Sequence, residues 1–582
     1  MTHIIADNIT SPLGMTTAQN LQHITAGDSA LRRYEDKWGL PEPFVASLLS
    51  DEQWQQVSIQ GFSRFESLVI HSIQEALTHT DEDVLKANTC LIISTTKANV
   101  EYLDGGASGQ EQYTSPAESA TKISQHLGLS TEPIVVCNAC ISGVAAQVLA
   151  KRLLDAKLYD YAIIAGCDVQ SKFIVSGFQS LKAVSDAQCR PFDIERLGLN
   201  LGEAASTIIM SGKDNANGDW YMNAGAQSND ALHITNPSPK GTGSAAVLNA
   251  VTCGISDDEL ALINVHGTAT MYNDQMESKA IESAGLSATP INALKGYYGH
   301  TMGAAGLLET VLSLHLLKQG LIVGTRGFDE IGVSGKVNIS ADTRTTDRRT
   351  LIKLISGFGG CNGAVLYSPK PSCGNQGAMP AELCTTHSVS ITPDSISLDN
   401  QPLDTEGQGK AMLTAAYKKF IGDYPKFYKM DILSKLGFIA SELLLQAETS
   451  GKQAEIGDKQ AETSGERFTP RDNRAVILFN RSSSICADLD YQKSIADPTD
   501  FFPSPSVFVY TLPNIVTGEI AIRNNYQGET SFYILPSADH NLMNNIIRAS
   551  FLCQQTTSMI TGWINADSPE NFEAQLAIIT TK

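Results

Sequence analysis

Ile134-Val135-Val136-Cys137-Asn138-Ala139-Cys140-Ile141-Ser142-Gly143 is the stretch on which the fold turns. Its β-branched opening reads as a short buried strand, small residues follow, and a helical pattern runs from Ile141 to Leu158. Strand, tight turn and helix make the βα step of an α/β architecture. The step sets Cys140 near a helix N-terminus, whose partial positive charge predicts a lowered thiol pKa. Small neighbours leave room for an incoming group. Taken alone, Cys140 reads equally well as a buried structural cysteine. Cys137, inside the strand, reads as core, although the C-x-x-C spacing also admits a thioredoxin-like redox pair.

The same alternation extends outward from residue 1 to about 370. Apolar runs at Thr89–Ser94, Tyr161–Gly166 and Ala261–Val265 read as buried strands. Helical stretches such as Leu307–Leu317 lie between them, predicting a sheet covered by helices on both faces. Residues 371–390, with Pro371, Gly374, Gly377 and Pro380, read as a linker. A second unit is expected over 391–582. Within it Gln-Ala-Glu-Thr-Ser-Gly occurs at Gln446–Gly451 and again at Gln460–Gly465, which predicts a disordered insertion at about 446–467.

The chain of 582 residues has 42 basic and 62 acidic side chains, a formal net charge of −20. At about 100–200 residues per domain this length allows three or four units. The charge argues against a broad surface for nucleic acid or for an anionic membrane. No apolar run is long enough to span a membrane, and the N-terminus lacks a signal-peptide pattern. Eleven scattered cysteines suggest neither a disulfide scaffold nor a structural metal site, and fit a reducing cytoplasm.

Three further segments carry chemistry. His266-Gly267-Thr268-Ala269-Thr270 directly follows an apolar strand, which places His266 at a cleft. Lys295-Gly296-Tyr297-Tyr298-Gly299-His300-Thr301-Met302-Gly303-Ala304-Ala305-Gly306 packs glycines around His300. Glu309, just beyond, is placed to form a buried ion pair with Lys295. Ser356-Gly357-Phe358-Gly359-Gly360-Cys361-Asn362-Gly363 is a flexible turn with one bulky residue. Each alone has a bland reading: a structural histidine, a close-packed helix start, a glycine loop. The ordered set fits acyl transfer better than redox exchange.

With these segments in order, residues 1–370 resemble the elongating β-ketoacyl-acyl-carrier-protein synthases, condensing enzymes of the thiolase superfamily. The likeness includes Thr10-Ser11-Pro12-Leu13-Gly14, Ser176-Gly177-Phe178, Cys189-Arg190-Pro191-Phe192-Asp193, Arg196, Gly202-Glu203, Asp274, Glu277 and Asn362. It implies a thiolase-like α/β fold of duplicated αβαβα layers, with an N-half at about 1–212 and a C-half at about 213–370. It also implies an acyltransferase in fatty-acid, polyene or polyketide synthesis. Cys140 would carry the acyl chain, and the N–H groups of Cys140 and Phe358 would form the oxyanion hole. His266 and His300 would assist malonyl decarboxylation, and Lys295 with Glu309 would tune them. Thr268 and Thr270 match the threonines that bind the phosphopantetheine arm, and Phe358 would gate entry. The substrates arrive on acyl carrier protein, with no metal and no resident cofactor. A homodimer, or a heterodimer with another synthase subunit, is expected. Arg64, Lys151 and Arg152 are candidates for docking an acidic carrier.

The chain departs from the family at four places. Asn138-Ala139-Cys140 replaces T-A-C, Gly202-Glu203-Ala204-Ala205 replaces G-E-G-A, Ala269 replaces a glycine, and Leu354-Ile355-Ser356 replaces N-S-F. No reacting group is lost. Two other readings stand beside the first. One is a non-condensing partner like the chain-length factors. The other is a thiolase, which would need a late cysteine such as Cys361.

The second unit bears a fainter likeness to the family's first half. Leu433–Leu445 matches the helix Leu68–Leu77, and Ala475–Phe479 matches the strand Cys90–Ser94. By that register the nucleophile position falls near Ser537, where no cysteine stands. A catalytically dead half-synthase is expected there, with a serine hydrolase at Ser537 as the alternative. The missing G-x-S-x-G pattern counts against the hydrolase.

Overall fold

The computed structural model describes every residue except 106–112, 214–218, 372–378, 381, 457–472, 554–555 and 582. Its first sheet contains β1 (His3–Thr10), β2 (Thr89–Ser94), β3 (Ile134–Val136), β4 (Tyr161–Asp168) and β5 (Ala204–Ser211). The order is β1-β5-β4-β2-β3. β5 runs antiparallel to both neighbours, and the other contacts are parallel. Every residue of β2, β4 and β5 is buried. That is why these segments read as continuous apolar runs rather than alternating ones.

Helix α1 (Arg64–Leu77) opens with a capping box between Ser63 and Glu66, which fixes its start. It covers one face of the sheet, where Leu91 and Ile93 join Leu68 and Val69. Helix α2 (Ser142–Asp155) covers the other face, where Cys90 and Ile92 meet Val144 and Ala145.

A second sheet repeats the plan. It holds β6 (Trp220–Asn229), β7 (Leu260–Asn264), β8 (Pro290–Asn292), β9 (Thr350–Gly357) and β10 (Cys361–Ser368) in the order β6-β10-β9-β7-β8. Helix α3 (Ala305–Lys318) packs on α2 between the two sheets. The approach is backbone to backbone. A Cβ on Gly306 would lie 2.6 Å from the Val144 nitrogen, and one on Gly143 would lie 3.0 Å from the Gly303 oxygen. The glycine-rich run around His300 therefore has a steric cause.

The remaining residues build a third sheet from β11 (Leu383–Thr392), β12 (Arg474–Asn480), β13 (Thr530–Ile534), β14 (Ser558–Ser568) and β15 (Asn571–Thr581). Its order is β11-β15-β14-β12-β13, with the same parallel and antiparallel senses as the first two. Helices α4 (Ile432–Ile456), α5 (Ile515–Asn524) and α6 (His540–Ser550) belong to this unit.

The first and third sheets meet edge to edge. β3 and β13 pair antiparallel through Val136↔Tyr533 and Val135↔Ile534. The ladder runs on past the strand end. Cys137 N–H donates to Phe532 O at 3.0 Å. The Asn138 side chain then behaves like one more peptide. Its Oδ1 accepts from Phe532 N–H at 2.7 Å, and its Nδ2 donates to Thr530 O at 3.1 Å. This gives the replacement of threonine by Asn138 a structural role. Beside the seam, Arg152 donates to both Glu529 carboxylate oxygens at 3.0 and 2.7 Å.

Three expectations need correction. The C-terminal end of the expected linker, from Leu383, is already strand β11, paired along its length with β15. The first copy of the polar repeat, with the rest of the expected insertion up to Ile456, lies in helix α4. The second copy lies outside the described residues. Arg152 is buried in its pair with Glu529 and presents no docking surface, because a charge that deep is stable only when paired. Of the other two docking candidates, Lys151 pairs with Asp155 at 2.6 Å, and Arg64 is about half exposed.

Glu529→Ala leaves the Arg152 guanidinium buried without its partner. A loss of about 3–5 kcal/mol is expected for breaking such a pair. Urea unfolding of the full chain measures it, and a loss near zero contradicts the role of the pair.

Candidate active site

Cys140 lies in the short turn Ala139–Ile141, between β3 and α2. The preceding Ala139 takes φ of +47°. Ala269, beyond His266, has φ of +60°, and Met302, beyond His300, has φ of +52°. L-residues rarely adopt this region, and such strain gathers where the backbone must aim a functional group.

His266 follows β7. Glu277 accepts from the backbone N–H of His266 at 2.6 Å and of Gly267 at 2.8 Å, which pins the turn. His300 is held by a bond from its own N–H to Asn200 O at 2.7 Å. The two imidazoles sit edge to face, centroids 5.0 Å apart at 83°. Cys140 Sγ and one nitrogen of each histidine lie within 4.8 Å of one another. All three line a cavity of about 330 Å³ with Thr268, Thr270, Phe178, Phe358 and Cys361. Thr268 and Thr270 share a hydroxyl bond of 2.9 Å on its wall.

The tautomer of His300 follows from its partners. Met302 N–H donates to Nδ1 at 3.1 Å, so in the neutral ring the proton sits on Nε2. That Nε2 is buried without a hydrogen-bond partner, as is His266 Nδ1. An Nε2–H donor with its Nδ1 already occupied suits an anionic oxygen better than a metal ion.

Behind the histidines, Glu309 is shared by two lysines. Lys295 Nζ reaches Glu309 at 2.8 Å and the His266 carbonyl at 2.6 Å. Lys353 Nζ reaches the other Glu309 oxygen at 2.6 Å, Asn264 at 2.7 Å and Val265 O at 3.1 Å. Sequence reading found the first pair and missed Lys353. The sign was available, since a lysine inside Leu351-Ile352-Lys353-Leu354-Ile355 is out of place unless paired.

Two lysines and one carboxylate leave excess positive charge. Burial holds both imidazoles well below their ordinary pKa, and Lys295 and Lys353 add to that, with His300 also acting on His266. Burial also lowers Lys353 to about 8, against the pull of Glu309. Glu309 is held low by its two lysines despite its burial.

Cys140 corrects the expectation of an acidic thiol. Burial pushes it up to about 12, although Lys295 and the N–H groups of Cys140 and Phe358 pull the other way. Desolvation outweighs the helix end, so the resting group is a thiol beside neutral imidazoles. Cys137 donates instead to Thr96 O at 3.5 Å and is core. Ser537 is exposed, and the nearby Asp539 carboxylate is engaged in capping α6.

Residues 3–216 match the family described as "Beta-ketoacyl synthase, N-terminal domain", and residues 221–329 match "Beta-ketoacyl synthase, C-terminal domain". Together these matches cover more than half of the chain. Nodulation protein E of Rhizobium meliloti (strain 1021) is 26% identical over 289 residues, 47% of this chain and 72% of the relative. A 3-oxoacyl-[acyl-carrier-protein] synthase 2 of Mycobacterium leprae is 29% identical over 248 residues, 40% of this chain and 59% of the relative. The chain thus spans less than two thirds of that synthase's length. Among solved structures, the PfaC keto synthase-chain length factor aligns over 100% of this chain and 78% of its own, with TM-score 0.75 and 14% identity. This shows a shared fold that includes the third sheet. Among the described residues, no helix is long and apolar enough to cross a membrane.

Lys353→Met removes one of the cations that hold the imidazoles neutral. The pKa values of His266 and His300 then rise, and both rings protonate at higher pH than in the wild type. Ring-nitrogen shifts of histidine-labelled protein during an acid titration measure this. Unmoved midpoints contradict the coupling.

Proposed function

The chain belongs to the β-ketoacyl synthase family, and we propose that it condenses an acyl group held on Cys140 with a malonyl group on acyl carrier protein. The single observation that supports this best is the convergence of the Cys140 sulfur and the two neutral imidazoles within 4.8 Å.

In the first half-reaction the Cys140 sulfur attacks the acyl thioester. A C–S bond forms to Cys140, the bond to the carrier sulfur breaks, and the thiol proton leaves on the carrier's thiol. The N–H groups of Cys140 and Phe358, both of which act on the sulfur, would hold the oxyanion. Such a donor is worth about 3–4 kcal/mol in other acyl-transfer sites. In the second half-reaction malonyl carrier loses carbon dioxide. Nε2–H of His300, with His266 beside it, faces the enolate oxygen. The carbanion then attacks the acyl-Cys140 carbonyl, Cys140 leaves as thiolate and takes up a proton, and the product is two carbons longer. Thr268 and Thr270 would hold the phosphopantetheine arm along the cavity wall, with Phe358 at the entrance.

The C-terminal unit we take to be a half-synthase without a nucleophile. Its sheet order repeats that of the first unit, and β13 occupies the free edge of β3. We propose that it takes the place of a partner synthase subunit within the same chain. A purely non-condensing role fits less well, since every reacting group is present.

Incubation with acyl and malonyl carriers of varied chain length tests the activity. An adduct at Cys140 by peptide mapping is expected, absent in Cys140→Ala. His300→Ala is expected to lower malonyl decarboxylation by about a hundredfold. No adduct, and equal carbon dioxide release from wild type and Cys140→Ala, would refute the proposal. Light scattering tests the internal partner. A species of 62.5 kDa is expected, whereas a stable species of twice that mass would contradict it.

A further inference from the structure

The turn from Gly357 to Cys361 joins β9 to β10 and presents the Phe358 N–H to the Cys140 sulfur. Both units hold it. From the first unit, Asn229 Nδ2 donates to Gly359 O at 2.8 Å, and Ile234 O accepts from Gly359 N–H at 2.7 Å. From the C-terminal unit, Asn514 Nδ2 donates to Phe358 O at 2.8 Å and lies 3.8 Å from Cys361 Sγ.

Asn514 stands at the N-cap of α5, a position where asparagine ordinarily caps its own helix. Here the side chain makes no cap bond and reaches across to the other unit instead. Its Oδ1 is buried without a partner. Leaving a buried acceptor unsatisfied is costly, so the site keeps this amide for its donor end. The α5 backbone presses on the same turn. A Cβ on Gly518 would lie 2.6 Å from the Gly359 oxygen, and a Cβ on Gly359 would lie 2.7 Å from Asn514 Nδ2.

We propose that Asn514 and Gly518 of the C-terminal unit position the Phe358 N–H toward the Cys140 sulfur, so that the appended unit completes the oxyanion site of the first. Phe358 N–H and Phe358 C=O belong to successive peptide planes. Fixing the carbonyl from one side and Gly359 from the other leaves the amide little freedom to swing away. Asn514 and Gly518 touch no substrate. They are positioning residues, and their role rests on reading Cys140 as the acylated nucleophile.

The test uses the full chain and two readouts. One is acyl transfer from acyl carrier to Cys140, resolved into kcat and KM. The other is alkylation of Cys140 by iodoacetamide at mildly alkaline pH, which needs no synthase activity and reports how well the N–H groups stabilise the thiolate. Asn514→Ala removes the donor, and Gly518→Ala pushes a methyl group into the turn. Each is expected to lower kcat by about tenfold with KM little changed, and to slow alkylation several-fold. Asn514→Leu keeps nearly the same shape without any donor and is expected to act in the same direction if the alanine variant is unstable. Tyr491→Phe is the control. It removes a 2.9 Å bond to Ser176 between the two units while keeping the ring and the bonds of Asn514 and Asn229 to the turn, and is expected to change neither rate.

Unchanged rates in Asn514→Ala and Gly518→Ala overturn the proposal. So does an equal fall in Tyr491→Phe, or faster alkylation in the Asn514 variants. If the wild type accepts no acyl group, the synthase reading fails, and the alkylation rates still decide the clamp.

Discussion

The structure depends on one edge. β3 is a strand of three residues with the Cys140 turn directly beyond it. Its outer side offers backbone groups that no other strand of its own sheet satisfies. An unpaired edge is costly when buried and adhesive when exposed. Here β13 completes it, and Cys137 N–H and the Asn138 amide carry the ladder to within two residues of Cys140. Pairing of the two units and placement of Cys140 are therefore one event. Arg152 with Glu529 and Lys97 with Asp488 are buried on the same seam. Charges at such depth favour one alignment, because any slip strands them without partners.

The chemistry of the site follows from its dryness. His266 and His300 are buried at the base of the cavity and desolvation dominates at Cys140, so each prefers its neutral form. On the proposed reading the sulfur would keep its proton until a thioester is seated, and the imidazoles would stay available as N–H donors. Lys295 and Lys353, both paired with Glu309, set a fixed positive field beside His266 and His300, where the proposed decarboxylation would develop negative charge. A field from groups already in place needs no reorganisation during the reaction.

Much of this was legible in the residues. The continuous apolar runs, the glycine-rich approach of α2 and α3, and the order of cysteine, histidine, lysine and histidine all have local causes that a sequence displays. What escaped was set by distant partners. The helix end at Cys140 is visible in the pattern, but the burial that overrides it comes from several segments at once. Arg152 looked like surface charge because Glu529 lies 377 positions away. Lys353 carries no motif, and Asn514 resembles an ordinary helix cap until the turn it holds is seen. The repeat at Gln446–Gly451 looked like loop by composition, yet it continues a helix whose start is buried in the core.

The topology also explains why half a fold is enough for the third sheet. In the first two sheets the labour is divided. The sheet containing β3 supplies Cys140 and the edge, and the sheet containing β7 supplies His266 while α3 supplies Glu309. A unit with the proposed task of closing the edge and steadying the turn would need the elements of the first kind alone. The C-terminal unit keeps those elements. It retains the strand that pairs with β3, the helix α5 that meets the turn at Phe358, and the helix α6 that packs on α2. A nucleophile at its Ser537 would face no histidine pair, because the described residues of the C-terminal unit build no counterpart of the β7 sheet to bring one. The absence of a cysteine there therefore leaves untouched the contacts between this unit and the turn at Phe358.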